Sequence, residues 1–432
     1  MTATLNRRIA LALAATLVGL GAPQGASAGP AARRETVKEA PAKPAGADAR
    51  SYTAGEAATA VPLGLPEGLR IPADDPGAFQ ALIDAAPAAR DPWLLVSAGG
   101  ENGAFGAGIL AGWSEAGDRP EFGVITGVST GALIAPFAFV GRAGDAPLRE
   151  AYTNISASDV FEFGGSDEAL TDTWPLKRRI DRAVTPELLK AIAAEHAKGR
   201  RLLVVTTDVD TERPVLWDMG AIAAVGSERA LALFRAVVLA SSSVPGVFPP
   251  VMLDAKAADG KLLKEMHADG GTTGQFYLAP AAAILGEGRV RIPASQIYLI
   301  VNNKLSPSFD VARRSTLSIL GRSFSAAIKA QTRASLALTK GFAEREGLTL
   351  SVAQIDGRFT KETSAPFDQG YMRALFAHGE ALGRTGTAFG PGEAVGVAAS
   401  PSREDEIATG TVRTAPAKGI APERPGREAM RR

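Results

Sequence analysis

Cysteine is absent from the 432 residues, and histidine occurs only three times. The lack of cysteine excludes a disulfide scaffold, a thiolate metal site and a cysteine nucleophile. His196, His267 and His378 do not lie at the spacing of metal ligands on a helix. We therefore expect no metal and no cofactor. The formal net charge is only +1, so the composition indicates no attraction to nucleic acid.

Long apolar runs are also absent. A shorter apolar run near the start of the chain is typical of an export signal. Arg7 and Arg8 precede an apolar run over 9–20, and the small residues 26–28 follow it. A run of 12 residues is too short to span a bilayer. Residues 1–28 therefore predict a signal peptide and export to the periplasm or the medium, with a retained N-terminal anchor as the alternative.

Two segments have no helical or strand period and are rich in alanine, proline and glycine. Residues 29–65 predict a disordered linker, and residues 391–432 predict a disordered tail. Between them, residues 66–390 alternate strand and helix patterns, and the strands at 93–97 and 297–301 are almost wholly apolar. That pattern predicts an α/β domain with a mostly parallel sheet covered on both faces.

A long helical stretch over 311–345 carries an apolar stripe and a separate set of basic residues. Two interpretations stay open from the sequence. The stretch covers the sheet and exposes a solvated basic face, or it rests as a basic amphipathic helix on anionic lipid.

The pattern Gly127-Val128-Ser129-Thr130-Gly131 has an apolar segment on either side. This G-x-S-x-G arrangement between a strand and a helix predicts a nucleophile elbow, in which a strained turn exposes the serine hydroxyl. Side chains at Gly127 or Gly131 would collide with the neighbouring strand or helix.

A glycine-rich turn, 98–103, follows the strand at 93–97 and precedes a helix of small residues. The amides of Gly99 and Gly100 predict an oxyanion hole, since glycine N–H groups reach a carbonyl oxygen without interference from side chains. A dinucleotide-binding loop is the alternative, but no G-x-G-x-x-G starts directly after the strand. Later in the chain, Asp269-Gly270-Gly271 follows a predicted strand pair and is the third of these separated motifs, with an Asp-Gly hairpin as the alternative.

These motifs, together with the segment from Ala240 to Pro250, resemble the patatin-like phospholipase family over about residues 90–385. The resemblance implies a three-layer α/β/α fold and a lipid acyl hydrolase acting on lipid or at a membrane interface. It also implies a catalytic dyad in which Ser129 attacks the acyl carbon and Asp269 acts as general base without histidine. The residues that support the motifs are Ala98, Gly103, Gly127, Gly131, Gly270 and Gly271.

Two positions depart from the family pattern. Ala98 stands where the family turn has its first glycine, and Asn102 stands where the family usually has arginine or lysine. The missing charge at Asn102 predicts weaker binding of an anionic group.

Two other functions compete with this one. An α/β-hydrolase triad would use Ser129, Asp269 and His378, which occur in the chain order of that fold. A non-catalytic protein on the same fold would bind lipid without hydrolysing it.

Overall fold

The computed structural model describes residues 50–164, 166–309, 311–363 and 365–390, apart from the side chain of Leu317. The predicted signal peptide and the predicted tail lie outside the described residues. The linker prediction extends to residue 65, and there the structure differs, because a helix and a short strand lie within residues 50–65. Thr53 starts that helix with a capping box, and Arg50 pairs with Asp210 at 2.6 Å. These polar contacts order a segment that has little apolar surface to bury.

The described residues form twelve α-helices and twelve strands, numbered here in chain order. The helices are α1 (Ala54–Ala58), α2 (Pro76–Asp84), α3 (Gly103–Ala116), α4 (Thr130–Phe139), α5 (Asp145–Thr153), α6 (Trp174–Ala183), α7 (Pro186–Ala197), α8 (Met219–Val225), α9 (Glu228–Ser241), α10 (Ala281–Leu285), α11 (Thr316–Glu346) and α12 (Gln369–Arg384). The strands are β1 (Val61–Pro62), β2 (Arg70–Pro72), β3 (Trp93–Val96), β4 (Val124–Val128), β5 (Glu162–Phe163), β6 (Thr171–Asp172), β7 (Arg201–Asp208), β8 (Arg213–Asp218), β9 (Val251–Lys256), β10 (Leu262–Asp269), β11 (Gln296–Lys304) and β12 (Thr349–Ile355).

The centre of the main sheet is parallel, as the sequence predicts. Strands β7, β4, β3, β11 and β12 run side by side in that order and in the same direction. Antiparallel strands extend the sheet from β7, with β10, β9 and β1 following one another and β8 and β2 pairing off β7. Every residue of β3, β4 and β7 is buried, which requires cover on both faces of the sheet.

Small residues let the helix after β3 pack closely on the last helix. A Cβ at Gly108 of α3 would lie 2.2 Å from the carbonyl oxygen of Phe376 in α12, and one at Gly379 of α12 would lie 2.3 Å from the carbonyl oxygen of Phe105. Twelve of the fourteen residues of α3 are buried. This close contact fixes the helix whose first residue follows the glycine-rich turn.

Strands β4 and β10 meet end to end along one edge of β7. Residues Leu203–Asp208 of β7 pair with β8 along the other edge. The last β4 residue, Val128, pairs with Val205, and the last β10 residue, Asp269, pairs with the next residue, Thr206. The sheet therefore brings together the residue that follows Val128 and the carboxylate that ends β10.

Helices α8 and α9 follow one another almost directly, and the residues between them mark the boundary. Gly226 ends α8 with a φ of 68°, and the hydroxyl of Ser227 caps α9 by accepting from the amide of Ala230. A left-handed glycine followed by a serine cap is a stop and a start signal in succession. None of the helices in the described ranges is both long and apolar enough to cross a bilayer.

Candidate active site

Ser129 stands in a strained turn between β4 and α4. Its φ is 56° and its ψ is −122°, a conformation that residues other than glycine rarely adopt. A Cβ at Gly127 would lie 2.5 Å from the carbonyl oxygen of Gly131, and one at Gly131 would lie 2.1 Å from that of Val96. Both glycines of the predicted elbow are therefore required by close backbone approach, and the turn has the geometry of a nucleophile elbow.

The side chains of Ser129 and Asp269 are in direct contact. The Ser129 hydroxyl donates a hydrogen bond of 2.6 Å to Oδ2 of Asp269. The other carboxylate oxygen, Oδ1, accepts a bond of 2.6 Å from the amide of Gly271. Ser129 is 6% exposed and Asp269 is 3% exposed. The structure thus brings together two residues that stand 140 positions apart in the chain.

Burial makes the Asp269 carboxylate a stronger base than an exposed one. Burial raises its pKa from the ordinary value to about 7, although the hydrogen bonds from Ser129 and Gly271 act in the opposite direction. A carboxylate with a pKa near neutrality accepts a proton at pH 7 far more readily than one with a pKa near ~4. The arrangement can therefore remove a proton from the serine hydroxyl.

Glycines let the chain turn sharply after Asp269. A Cβ at Gly270 would lie 2.3 Å from the carbonyl oxygen of Val205 in β7, and one at Gly271 would lie 2.9 Å from Oδ1 of Asp269. The first position touches the sheet and the second touches the carboxylate itself. Larger residues at either place would move Asp269 away from Ser129.

Three consecutive serines at the C-terminal end of α9 hold the backbone of this site. The Ser241 hydroxyl accepts from the amide of Ser129 at 3.0 Å and donates to the carbonyl of Val205 at 2.7 Å. The Ser242 hydroxyl donates to the carbonyl of Ser129 at 3.3 Å, and the carbonyl of Ser243 accepts from the amide of Asp269 at 2.8 Å. The sequence does not reveal these roles. The run of three buried hydroxyl side chains before a proline-rich segment is the only local signal.

The glycine-rich turn lies beside the dyad. The Cβ of Ala98 is 3.4 Å from the position of a Cβ built on Gly271, and the amide of Ala98 donates to the carbonyl of Gln275 at 2.8 Å. A Cβ at Gly99 would lie 2.1 Å from the carbonyl oxygen of Asn302 in β11. The amide of Ala98 is therefore engaged within the protein, which leaves Gly99 and Gly100 as the donors of this turn.

The amides of Gly99 and Gly100 have no acceptor within the part of the chain that the structure describes. Gly100 has a φ of 57°, and a Cβ there would meet no atom within 4 Å. Side chains of Asn302 and Asn303 fix the strand-to-turn connection by donating to the carbonyls of Ser97 at 3.0 Å and Ala98 at 3.2 Å. Two free N–H groups on a fixed turn can bind a negatively charged oxygen.

Polar residues after Gly100 serve the fold. The Asn102 side chain accepts from the Tyr371 hydroxyl at 2.8 Å, and the Glu101 carboxylate accepts from the amide of Phe367. Burial raises the pKa of Glu101. A Cβ at Gly103 would lie 2.2 Å from the hydroxyl oxygen of Thr130 in α4, which keeps α3 close to the elbow.

None of the three histidines, all of which lie in described ranges, bonds to Ser129 or Asp269. His378 lies between the rings of Phe105 and Phe359, with centroids 6.2 and 5.4 Å away. Nδ1 of His267 lies 2.9 Å from the hydroxyl of Thr206, and Nδ1 of His196 lies 3.7 Å from Asp218. The geometry therefore gives no support to a Ser–Asp–His triad.

No group of three or more His, Asp or Glu side chains among the described residues is placed to hold a metal ion. The polar atoms that meet at Ser129 are hydroxyls, one carboxylate and backbone amides. Those are groups for acid–base and acyl-transfer chemistry.

Comparison with known proteins gives a match to one family model and similarity to solved structures. The model of the family described as patatin-like phospholipase matches residues 94–282, a range that contains the glycine-rich turn, the elbow and Asp269. Among solved structures, the chain is similar to the crystal structure of VipD from Legionella pneumophila, with a TM-score of 0.35 and 11% identity. That alignment covers 69% of this chain and 67% of the other. No match was found among curated proteins.

Proposed function

We propose that this protein is a lipid acyl hydrolase that works through a dyad of Ser129 and Asp269. The proposal starts from the match of residues 94–282 to the patatin-like phospholipase family. The family implies hydrolysis of lipid acyl esters. The observation that carries the dyad is the 2.6 Å hydrogen bond between the serine hydroxyl and a buried carboxylate. The positive φ of Ser129 supports the same role, because strain of that kind is retained where it serves chemistry.

The first half of the reaction transfers the acyl group to the enzyme. The Ser129 oxygen attacks the ester carbonyl carbon as its proton passes to Oδ2 of Asp269, and the carbonyl π electrons move to the oxygen. The bond to the leaving alkoxide then breaks, and Asp269 returns the proton to it. The products of this half are an alcohol and an acyl-serine.

The second half uses water as the nucleophile. Asp269 takes a proton from the water as its oxygen attacks the acyl-serine carbon, and the same proton then goes to the Ser129 oxygen as that bond breaks. A fatty acid leaves and the dyad returns to its starting state. One base serves both halves, which is consistent with a pKa that burial raises to about 7.

The amides of Gly99 and Gly100 are proposed to stabilise the negative oxygen in both halves. Their free N–H groups and their place beside Gly271 support this role. Donors of this kind contribute roughly 100- to 1,000-fold each to turnover.

The test combines a covalent probe with four variants. Wild-type protein should react with a serine-directed fluorophosphonate and hydrolyse a short-chain ester, and Ser129→Ala should lose both properties. Asp269→Asn should lose at least about a thousandfold in kcat/KM, because asparagine keeps the shape of aspartate but cannot accept the proton. His378→Ala and His196→Ala are the controls and should keep most of the activity.

Two outcomes would contradict the proposal. An inactive His378→Ala variant beside an active Asp269→Asn variant would favour a histidine base. Wild-type protein that neither reacts with the probe nor hydrolyses a mixed lipid extract would instead favour lipid binding without catalysis. Mass analysis of the products from the extract identifies the lipid class at the same time.

A further inference from the structure

The longest helix is buried over only one half of its length. In the C-terminal half of α11, Thr332, Leu336, Thr339 and Phe342 recur at a spacing of three or four and are buried. From Thr316 to Gln331, no described side chain is buried. Tertiary packing accounts for most helix stability in proteins, so the free half needs a partner more than the buried half does.

Large apolar side chains are exposed on and just before the free half. Phe309 is 94% exposed, Val311 77%, Ile319 53% and Phe324 61%. Single exposed apolar residues are ordinary on protein surfaces. Four of them within sixteen residues of chain are characteristic of an interaction surface.

The same stretch is strongly basic. Residues 309–343 contain six arginines and lysines and one acidic residue, Asp310, although the whole chain carries 47 basic and 46 acidic residues. Arg313 and Arg314 are exposed ahead of the helix. The excess of positive charge is therefore local and favours an anionic partner.

Three of these cations are held against backbone oxygens instead of carboxylates. Arg322, Lys329 and Arg333 donate to the carbonyls of Ser308, Ser306 and Leu305 at 2.8, 3.2 and 2.8 Å. Within the described ranges, no carboxylate lies within 4 Å of any of the three. Partial burial and the neighbouring cations lower the pKa of Lys329. None of the three cations therefore forms an ion pair with a described acidic side chain.

This region adjoins the candidate active site. Asn302 and Asn303, which fix the glycine-rich turn, are followed directly by the segment to which the three cations bond. On the helix itself, Gln331 lies 3.4 Å from Gln275, whose side chain donates to the carbonyl of Gly271 at 2.7 Å. The exposed half of α11 therefore ends, at Gln331, beside residues that support the dyad.

We propose that Phe309, Val311, Arg313, Arg314, Ile319 and Phe324 form a docking surface for an anionic lipid bilayer. The arginines attract anionic headgroups and the apolar side chains enter the interface between headgroups and acyl chains. Docking through this surface keeps the Ser129 site at the bilayer from which lipid is taken. This assignment rests on the proposed function.

Sedimentation with vesicles tests this surface on an inactive Ser129→Ala background, so that no lipid is consumed. Vesicles of phosphatidylcholine with added phosphatidylglycerol should bind the protein, and phosphatidylcholine alone should bind it much less. Arg313→Gln with Arg314→Gln should weaken binding to the anionic vesicles roughly 30-fold, from about 1 kcal/mol per charge. Phe324→Ser should weaken it about tenfold, through loss of apolar burial.

Matched variants elsewhere on the surface serve as controls. Arg289 and Arg291 are a pair of exposed arginines, and Leu262 is 66% exposed, close to the value for Phe324. Arg289→Gln with Arg291→Gln, and Leu262→Ser, should bind the vesicles as the parent does.

Three results would overturn the docking surface. The first is equal binding to anionic and neutral vesicles, and the second is an equal loss of binding in the control variants. The third is a change in the solution mass of Phe324→Ser while its vesicle binding stays normal, which would assign the face to a second copy of the chain. Because the Ser129→Ala background has no turnover, failure of vesicle binding leaves the test of the hydrolase proposal untouched.

Discussion

Two turns follow the neighbouring strands β3 and β4, and they present different chemical groups to the candidate site. After β4, the backbone of Ser129 is engaged on both sides, since its amide donates to Ser241 and its carbonyl accepts from Ser242. After β3, the amides of Gly99 and Gly100 have no acceptor in the described part of the chain. The first turn presents a side chain and the second presents backbone.

The difference follows from the kind of group that each turn keeps in position. A hydroxyl is fixed only if the backbone beneath it is fixed, so the elbow uses hydrogen bonds to support a strained φ. Backbone donors stay available only if side chains do not crowd them and no internal acceptor captures them. We therefore expect substitutions in the two turns to damage turnover in different ways.

Among substitutions that leave Ser129 and Asp269 in place, the largest effect should come from the turn that presents backbone. Gly100→Val should lower kcat by about 100- to 1,000-fold, because a β-branched residue at a φ of 57° forces the turn to change and moves the oxyanion donors. Initial rates on a short-chain ester measure the loss. Gly117→Val is the control, since Gly117 has a φ of 87° and equally open surroundings but ends α3. It should lower the thermal midpoint and leave kcat near normal; equal kcat losses in both variants would break the comparison.

The pH dependence of kcat/KM should arise only from Ser129 of the elbow and its base, Asp269. With the pKa of Asp269 near 7, kcat/KM should fall about tenfold for each pH unit below that value, because the protonated acid cannot accept the serine proton. Gly100→Val should lower the whole profile without moving its midpoint. A midpoint that stays near the ordinary carboxyl range would contradict the role of burial.

Stability should move with pH in the opposite direction. Because the folded protein holds the Asp269 proton up to about pH 7 and the unfolded chain releases it near ~4, the free energy of unfolding decreases as pH rises between these values. Asp269→Asn removes that titration, so its denaturation midpoints should not show this contribution to the decline. Urea unfolding of both proteins at several pH values measures the difference.

The smallest effect should come from a support of the elbow. Ser241→Ala removes the acceptor for the Ser129 amide, and a buried N–H without a partner costs about 1–3 kcal/mol. We expect a lower thermal midpoint and a loss of a few-fold to about tenfold in kcat. Ser243→Ala is the matched control, because the hydroxyl of Ser243 donates only to Leu239 within α9. An equal loss of kcat in both variants would contradict a specific role of Ser241 in supporting the elbow.

Much of this site could be predicted because its motifs are local. The parallel order of strands follows from apolar runs that alternate with helices, and the elbow follows from two glycines around Ser129. The role of Asp269, and with it the contact to Ser129, follows only from the family resemblance.

What the sequence could not reveal depends on contacts between distant segments. The hydroxyls of Ser241 and Ser242 reach Ser129 across 112 and 113 positions, and nothing in their local pattern specifies that partner. The sequence left open whether the long helix covers the sheet or rests on anionic lipid, and the structure shows burial over one half only. The second half of the helix is buried and the first half is exposed, and a periodicity that continues through both halves does not mark the boundary.

The meeting of β4 and β10 on one edge of β7 has a consequence for folding. Adjacent residues of a single strand, Val205 and Thr206, receive the ends of two segments far apart in the chain. Loop closure over such a separation is slow, so the last strand to arrive completes the site. Esterase activity during refolding should therefore appear only after both β4 and β10 have docked on β7, which makes turnover a reporter of complete folding.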